Sequence, residues 1–389
     1  MRIFYASAES PFAGISSQIW RNNLYQTLVD MGHEVFEFTY DRMAETFRHL
    51  DASNPESRGF IAENRPRLSA ELFRQISELH RQTPIKLFFS YFYDSCIEPE
   101  TLEKIKALGI VTINWYCNAS YQLHLVSEIS PHYDYCLVPE KFRLKDYQNM
   151  GARPLYCQEA ANPSIYRPYD LPQEFDVAFI GQAYGDRPDN LKFLRDQGID
   201  ARAWGPGWRQ FSHSPRVVAA RNFKRLLHLG KRMAHVITGQ EKMKNVLQTI
   251  RQWRQQPSFA DDIVGPPLSD TEMIKMYSRA RINIGFSSCG ETSRQKERIL
   301  QIRLRDFEIP MSGGFYMIEY MEDLEEFFEI GKELVCYKDL ADLAEKIKYY
   351  LSHPEERELI RQAGYQRCLR DHTWQKRFEM VFRETGLSS

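Results

Sequence analysis

Residues 303–318, RLRDFEIPMSGGFYMI, place an acidic residue and a proline just ahead of a double glycine and an apolar run. We predict a short helix that begins near residues 308–310, because proline is tolerated in the first turn of a helix, where backbone amides have no intrahelical partner. Gly313 and Gly314 would end this helix before a strand at residues 315–318. The pattern therefore predicts the Glu308 carboxylate at a helix N-terminus, facing the carboxyl ends of the strands of a sheet.

A carboxylate at that position can take part in ligand binding. In open α/β sheets, ligands bind in the crevice outside the carboxyl ends of the strands. There Glu308 can accept two hydrogen bonds from a vicinal diol, while the amides at the start of the helix can face a diphosphate. A ribose and a diphosphate together indicate a nucleotide. The alternative is that Glu308 only stabilises the helix dipole and that the glycines only form the turn.

The same alternation of short apolar strands and helical stretches extends along the chain. Predicted strands lie at residues 2–6, 35–40, 86–90, 110–115 and 135–139, and again at 176–180, 201–204, 262–264, 282–286, 315–318 and 334–337. Such alternation predicts parallel, doubly wound sheets, and hence an α/β fold of two tandem Rossmann-like domains. Two prolines and several turn formers at residues 162–170 predict a hinge. We assign residues 1–160 to the first domain, 161–172 to the hinge and 173–372 to the second domain.

The composition excludes several classes of protein. The 389 residues carry a formal net charge of −1, with 43% hydrophobic and 26% charged residues, which is typical of globular domains and offers no overall attraction to a polyanion. The cysteines are scattered, without a CxxC pair or clustered histidines, so no metal site is expected. The N-terminus lacks the pattern of a signal peptide, and residues 107–127 are too polar to span a bilayer. We therefore expect a cytoplasmic protein.

One segment, residues 216–255, departs from this charge balance. Apolar residues are interleaved in it at helical spacing, and Glu241 is its single acidic residue. Its basic residues are Arg216, Arg221, Lys224, Arg225, Lys231, Arg232, Lys242, Lys244, Arg251 and Arg254. The segment is either a solvated helical insertion packed by its apolar side, or a docking surface for anionic lipid, a lipid-phosphate acceptor or nucleic acid.

Two stretches of the second half resemble a known family. Residues 272–288, EMIKMYSRARINIGFSS, and residues 305–377, which begin RDFEIPMSGGFYMIEYMEDLEEFF, are similar to the C-terminal domain of GT-B glycosyltransferases of the family 1/4-like group, which includes spore-maturation CgeB-type proteins. The resemblance implies a GT-B fold with a cleft between its domains and a C-terminal helix, residues 373–389, that returns to the first domain. It also implies transfer of a sugar from a nucleotide-sugar co-substrate, without a catalytic metal or another cofactor.

The resemblance assigns roles to individual residues. The donor-side residues are Glu308, Gly313, Gly314, Arg187, Gly181, Ser288 and Arg305, and the residues of acceptor-side loops are Gly14 and Asn118. Glu308 matches the glutamate that holds the donor ribose, and the double glycine matches the loop near the donor phosphates. Arg187 would neutralise the diphosphate, the alternative being a salt-bridged surface arginine.

Two features depart from the family's pattern. Leu300 occupies the position at which many family-4 enzymes carry a second glutamate. Only Arg187 and Lys192 lie near the place of the usual arginine and lysine pair. The contacts to the donor sugar are therefore less defined than the contacts to the nucleotide.

Sequence position leaves the catalytic residue open. An inverting enzyme needs a base in a loop of the first domain, and Glu9, Asp94 and His124 are the candidates by position. A retaining enzyme would rely on positioning and on stabilisation of the departing phosphate.

The expected partners are a nucleotide-sugar donor and a glycan or lipid-linked acceptor of polysaccharide, glycolipid or other cell-surface glycan synthesis. Peripheral membrane contact through residues 216–255 is expected, and nucleic acid is not. Two rival functions remain. One is a sugar-nucleotide epimerase of the same shape, and the other is a non-catalytic module that binds nucleic acid or protein through the basic segment.

Overall fold

Apolar runs that are buried on both faces form the centres of two parallel sheets. All five residues of the run 87–91 are buried, which is typical of a strand covered by helices on both sides. The computed structural model describes residues 1–8, 11–12, 15–240, 242–290, 292 and 297–387. In this part of the chain each half forms one six-stranded parallel sheet. The predicted α/β class with two Rossmann-like sheets is confirmed.

The strands are β1 (Arg2–Ser7), β2 (Pro11–Phe12), β3 (Ile15–Ser16), β4 (Glu34–Glu37), β5 (Leu87–Tyr91), β6 (Val111–Trp115), β7 (Tyr135–Val138), β8 (Pro154–Tyr156), β9 (Phe175–Ile180), β10 (Ala201–Trp204), β11 (Val264–Gly265), β12 (Ala280–Ile284), β13 (Tyr316–Glu319) and β14 (Val335–Tyr337). Each predicted strand overlaps one of these. The sequence pattern does not predict β2, β3 and β8, because they are too short to show a periodicity.

The order of the strands determines where a crevice for a ligand opens. The first sheet has the order β4-β1-β5-β6-β7-β8 and the second the order β11-β10-β9-β12-β13-β14, while β2 and β3 form a separate antiparallel pair. In the second sheet the strand order reverses between β9 and β12. The loops that leave these two neighbouring strands diverge there, and a crevice opens between them.

The helices are α1 (Gln26–Asp30), α2 (Met43–Thr46), α3 (Pro55–Gln82), α4 (Pro99–Ala107), α5 (Ala119–Gln122), α6 (Leu144–Asn149), α7 (Arg187–Asp196), α8 (Pro215–Ile237), α9 (Met243–Gln255), α10 (Asp270–Arg279), α11 (Leu304–Met311), α12 (Leu340–Ser352), α13 (Pro354–Asp371) and α14 (Trp374–Thr385). A π-helical turn lies at Arg21–Tyr25, and 3-10 turns lie at Phe47–His49, Leu123–Leu125, Ser130–His132, Lys141–Arg143, Trp208–Phe211 and Glu322–Glu326. Within the described residues, none of the helices combines the length and the apolar character that crossing a bilayer requires.

Helix α11 begins earlier than the sequence pattern predicts. It starts at Leu304, where the Asp306 side chain accepts a hydrogen bond from the backbone amide of Arg303 at 2.9 Å. Because this cap satisfies an amide at the helix start, the first turn forms around Asp306 rather than around Pro310. The predicted position of Glu308 at the helix N-terminus is therefore wrong. Glu308 lies one turn further along, and Pro310 lies near the end of the helix.

Helix α14 returns from the second half of the chain to the first sheet. Trp374 is fully buried in the core of that sheet, and its ring lies 5.1 Å from the ring of Trp115 in an edge-to-face arrangement. The Arg377 guanidinium donates a hydrogen bond to the carbonyl oxygen of Gln158 at 3.0 Å. The helix thus joins the two halves, while the predicted domain boundaries stay predictions.

Candidate active site

A cavity of about 270 Å³ opens at the carboxyl edge of the second sheet. Its lining includes residues of both halves of the chain. The second half contributes Gly181, Gly205, Arg187, Arg303, Arg305 and Asp306, and the first half contributes Ser17 and Ile19. The cavity lies where the strand order reverses, which is the usual ligand position in doubly wound sheets. It is therefore the candidate binding site.

Two loops meet in the wall of the cavity at a distance that excludes a side chain. Gly205 follows β10 with φ +139°, and a Cβ atom there would lie 2.3 Å from the carbonyl oxygen of Gly181. Such a conformation and such an approach are open only to glycine. The predicted donor-side residue Gly181 consequently lies in the cavity wall.

The Arg187 guanidinium is buried in the same wall. It donates hydrogen bonds to the carbonyl oxygens of Gln182 at 3.0 Å and Phe286 at 3.3 Å, and it lies 3.9 Å from the ring centroid of Tyr184. Burial, together with the positive charges of nearby Arg303 and Arg305, lowers the pKa of Arg187 to about 10. Within the described residues it forms no ion pair, so the surface salt bridge considered as an alternative is absent.

Arg303 and Arg305 lie beside Arg187 at the start of α11. Arg303 donates to the hydroxyl of Tyr184 at 3.0 Å and to the carbonyl oxygen of Ser288 at 2.8 Å. The Nε atom of Arg305 lies 3.5 Å from a carboxylate oxygen of Glu308. Nε of Arg303 and Nη1 of Arg305 are buried and have no hydrogen-bond partner in the part of the chain that the structure describes. Each arginine thus has one donor nitrogen that is not hydrogen-bonded to the described residues.

The two carboxylates that line the cavity among the described residues, those of Asp306 and Asp270, are held by neighbouring groups. Asp306 accepts from the Arg303 amide and, at 2.7 Å, from the hydroxyl of Tyr316, and burial raises the pKa of Asp306 to about 6. Asp270 accepts from the hydroxyl of Ser17 at 3.1 Å, a contact that ties α10 to the first half of the chain. The wall therefore has an excess of positive charge, which suits an anionic ligand.

Glu308 lies behind Arg305 rather than at the cavity surface. Its side chain is 1% exposed, and one oxygen accepts a hydrogen bond from the hydroxyl of Tyr277 at 2.6 Å. Burial raises the pKa of Glu308, and the charge of Arg305 opposes this effect. The second oxygen has no partner among the described residues. Glu308 thus contacts the cavity through Arg305, and its role as ribose ligand stays a prediction.

The structure does not bring the double glycine to the cavity. Gly313 has φ +71° and lies at the far end of α11, where Arg361 donates to its carbonyl oxygen at 2.8 Å. Gly314 lies beside Ile309 and Asn283. These glycines form the turn into β13, as the alternative explanation holds. Ser288 contacts the site through its carbonyl oxygen, which binds Arg303.

Asp94, His124 and Asn118, the candidate bases and the acceptor-side residue that the structure describes, do not line the cavity. Asp94 accepts hydrogen bonds from the backbone amides of Glu128 and Ile129, and burial raises the pKa of Asp94 to about 6. His124 is exposed in a 3-10 turn. Asn118 precedes α5, whose amides bond to its carbonyl oxygen. Glu9 and Gly14 lie outside the described residues.

A buried carboxylate between the two halves was missed by the sequence analysis. Glu140 follows β7, is 5% exposed, and accepts a hydrogen bond from the Gln301 amide nitrogen at 2.8 Å. Burial raises the pKa of Glu140 to about 7. Glu159 is also buried nearby, and its pKa is raised by burial and then by the charge of Glu140. Their positions after β7 and β8, at the carboxyl edge of the first sheet, are the signal that could have found them.

The raised pKa of Glu140 predicts that the stability of the protein depends on pH. Because the folded protein holds a proton on Glu140 that the unfolded chain releases, stability falls as the pH rises from the unfolded pKa through the folded value of about 7. We expect a loss of roughly 2 to 3 kcal/mol across that window. Glu140→Gln should flatten the curve and make the variant more stable than the wild type at alkaline pH. Urea unfolding over a pH series measures it, and parallel curves for the two proteins would contradict it.

No group of three or more potential metal ligands occurs among the described residues.

Residues 221–383 match a protein family described as glycosyl transferase-like. None of the curated proteins matches the chain. The family match covers most of α8, all of α9, the cavity arginines Arg303 and Arg305, and most of α14.

Solved structures match the chain over its full length. Sucrose-phosphate synthase from Thermosynechococcus elongatus is 12% identical with a TM-score of 0.58, and the match covers 100% of both chains. HepE from Anabaena, in complex with UDP-glucose, is 9% identical with a TM-score of 0.51 and the same coverage. An alpha-glucosyltransferase in complex with UDP-glucose and DNA is 12% identical, with a TM-score of 0.56 and 98% coverage of both chains. The predicted GT-B architecture is confirmed, whereas the CgeB-type subgroup stays a prediction.

Proposed function

We propose that the protein is a glycosyltransferase that moves a sugar from a nucleotide-sugar donor to an acceptor. The observation that carries the proposal is the group of three arginines, the buried Arg187 and the partly exposed Arg303 and Arg305, at the reversal point of the second sheet. A diphosphate supplies the negative charge that this group lacks, and guanidinium groups bind phosphate oxygens in pairs. The glycosyl transferase-like match and the neighbours solved with UDP-glucose support a donor of this class.

The lining of the cavity offers separate places for the base and the diphosphate of a nucleotide. Phe179, Pro206 and Leu268 offer an apolar wall for a base, while the arginines bind the diphosphate. Glu308 holds Arg305 in place, or receives the ribose after a side-chain shift of Arg305. Ser17 and Ile19 then lie on the side from which an acceptor enters.

The arginines also supply the electrostatic part of catalysis. When the bond between sugar and phosphate breaks, negative charge develops on the leaving diphosphate, and fixed cations in a buried wall stabilise it without reorganisation. We propose that no metal or other cofactor is needed, because this positive charge is present in the protein itself. The base of an inverting reaction, if there is one, comes from a loop of the first half, with Glu9, Asp94 and His124 as the predicted candidates.

The acceptor that we propose is a glycan or lipid-linked molecule of polysaccharide, glycolipid or other cell-surface glycan synthesis. The proposed location is the cytoplasm, at the inner face of the membrane. The class of acceptor is inferred from the basic segment, residues 216–255, and from the type of enzyme.

A panel of UDP-, GDP-, dTDP-, ADP- and CMP-sugars tests the function. A ligand at a hundred times its dissociation constant stabilises a protein by about 2.7 kcal/mol, so one member should raise the melting temperature of the wild type. Glu308→Ala should reduce that shift, since it removes the carboxylate that contacts Arg305. Glu379→Ala, an exposed glutamate on α14, is the matched control.

The outcomes of the panel separate the alternatives. A shift with one nucleotide and sugar release only with an added acceptor support a transferase. Turnover of the donor to an epimerised sugar nucleotide or to free sugar, without any acceptor, would identify the epimerase instead. No shift with any donor would overturn the proposed function and leave the GT-B fold in place.

A further inference from the structure

Helices α8 and α9 form a helical hairpin that extends from the second sheet. Neither helix contains an aspartate or a glutamate. None of the residues of α8 is buried, although the helix is 23 residues long. A long helix without buried residues needs a partner to cover its apolar side chains.

One side of α8 already has its partner. The guanidinium carbon of Arg225 lies 5.5 Å from the ring centroid of Trp253, and Arg232 donates to the hydroxyl of Thr249 on α9. Arg221 donates to the carbonyl oxygen of Gln210 at 3.0 Å, which ties the helix to the body of the protein. This side of α8 is therefore fixed against α9 and the 3-10 turn at Trp208–Phe211.

The opposite side presents a stripe of large apolar residues to solvent. Phe223, Leu226, Leu227 and Ile237 are 63%, 69%, 55% and 83% exposed. Together with Gly230 and Ala234 these residues recur at intervals of three and four, so they lie along one face of the helix. We name the four large residues the apolar stripe. Contiguous exposed apolar surface of this kind marks an interaction site.

Basic side chains run along one flank of the apolar stripe. Lys224 lines a groove together with His228 and Trp253, and Lys231 and Lys244 line a second groove that also includes His228. Within the described residues no acidic side chain lines either groove. The hairpin thus combines an apolar face with a cationic flank.

We propose that the helical hairpin docks the protein on an anionic lipid surface, with the apolar stripe in the acyl boundary and the basic flank on the headgroup phosphates. Amphipathic helices that bind membranes in their plane have this distribution of apolar and basic residues. Nucleic acid would engage the lysines and arginines but would leave the phenylalanine and leucines uncovered. A second copy of the chain would bring two hairpins of the same charge together, which opposes association.

Vesicle sedimentation tests this docking. The wild type should bind vesicles that contain phosphatidylglycerol and should not bind pure phosphatidylcholine. Leu226→Ser should weaken the binding by roughly tenfold, because it removes one leucine side chain that the membrane would cover. Leu359→Ser, an equally exposed leucine on α13, should leave it unchanged. Lys224→Gln with Lys231→Gln should weaken it by at least about tenfold, and Lys348→Gln with Lys376→Gln should have little effect.

Each other result would overturn the proposal. If the wild type does not bind anionic vesicles, a lipid partner is excluded. Salt-sensitive binding to duplex DNA that Leu226→Ser leaves intact, without vesicle binding, would replace lipid by nucleic acid. A doubled mass in solution that Leu226→Ser returns to the monomer would assign the stripe to a second copy of the chain. Because the stripe lies away from the cavity, nucleotide-induced stabilisation should be the same in all these variants, and melting curves without ligand show whether they fold.

Discussion

Arg305→Gln is expected to lose roughly a hundredfold of the affinity for a nucleoside diphosphate, because it removes one of the three cations of the cavity wall, and truncating one partner of a desolvated, hydrogen-bonded charge pair costs about 2 to 5 kcal/mol. Arg305 lines the cavity, and its Nη1 atom has no partner within the described residues. The variant also leaves Glu308 buried without the neighbouring charge at 3.5 Å. Isothermal titration with the nucleotide identified in the panel measures the loss.

Arg279→Gln provides the control for this experiment. Arg279 belongs to α10, pairs with Glu174 at the protein surface and does not line the cavity. Surface ion pairs contribute little to stability, so this variant should bind the nucleotide as the wild type does. Equal affinity of Arg305→Gln and the wild type would show that the arginine group is not the diphosphate site. A melting curve without ligand shows whether a loss of affinity comes from a loss of folding.

Trp374→Ala is expected to lower the free energy of unfolding by about 3 to 5 kcal/mol, the usual cost of removing a large aromatic side chain from a core. Trp374 is fully buried and packs against Trp115 and, at 5.7 Å, against Phe378. The ring lies where α14 enters the core of the first sheet, so its loss also loosens the connection between the two halves. Urea unfolding gives the free energy.

Phe142→Ala is the matched control for the tryptophan variant. Phe142 lies in the first half of the chain and its side chain is 53% exposed, so its removal leaves no cavity. We expect a change of less than about 0.5 kcal/mol for this surface substitution. If Trp374→Ala is no less stable than Phe142→Ala, α14 does not belong to the core of the first sheet.

Local pattern was enough to predict the α/β class and the position of every strand in the two sheets except the short β8. Burial on both faces of a parallel sheet demands apolar runs, and those runs are visible in a single sequence. The start of α11 was predicted wrongly, because the hydrogen bond from the Arg303 amide to Asp306 competes with the preference of Pro310 for a first turn. When a capping residue and a proline both favour a helix start within one short stretch, the surrounding backbone geometry determines which of them begins the helix.

Sequence resemblance named Arg187, Gly181 and Arg305, and the structure places all three in the wall of one cavity. It also named the double glycine, which the structure places at the other end of α11. Arg303 was not predicted as a site residue, although it is the first residue of the stretch 303–318. A basic residue beside a helix start is common on protein surfaces, so only its position next to Arg187 in the cavity wall distinguishes it.

The sequence by itself determined the alternation of strands and helices, the absence of acidic residues from the stretches that form α8 and α9, and the family that residues 272–288 and 305–377 resemble. The tertiary structure decided that Arg187 at the start of α7 meets Arg303 and Arg305 at the start of α11 without enough carboxylates to balance them, and that Glu140 is buried against Gln301. Hydrophobic periodicity depends on neighbours along the chain, and it can be read locally. The charge and pKa of a site depend on distances between groups that are remote in the sequence, and only the packed fold sets those distances.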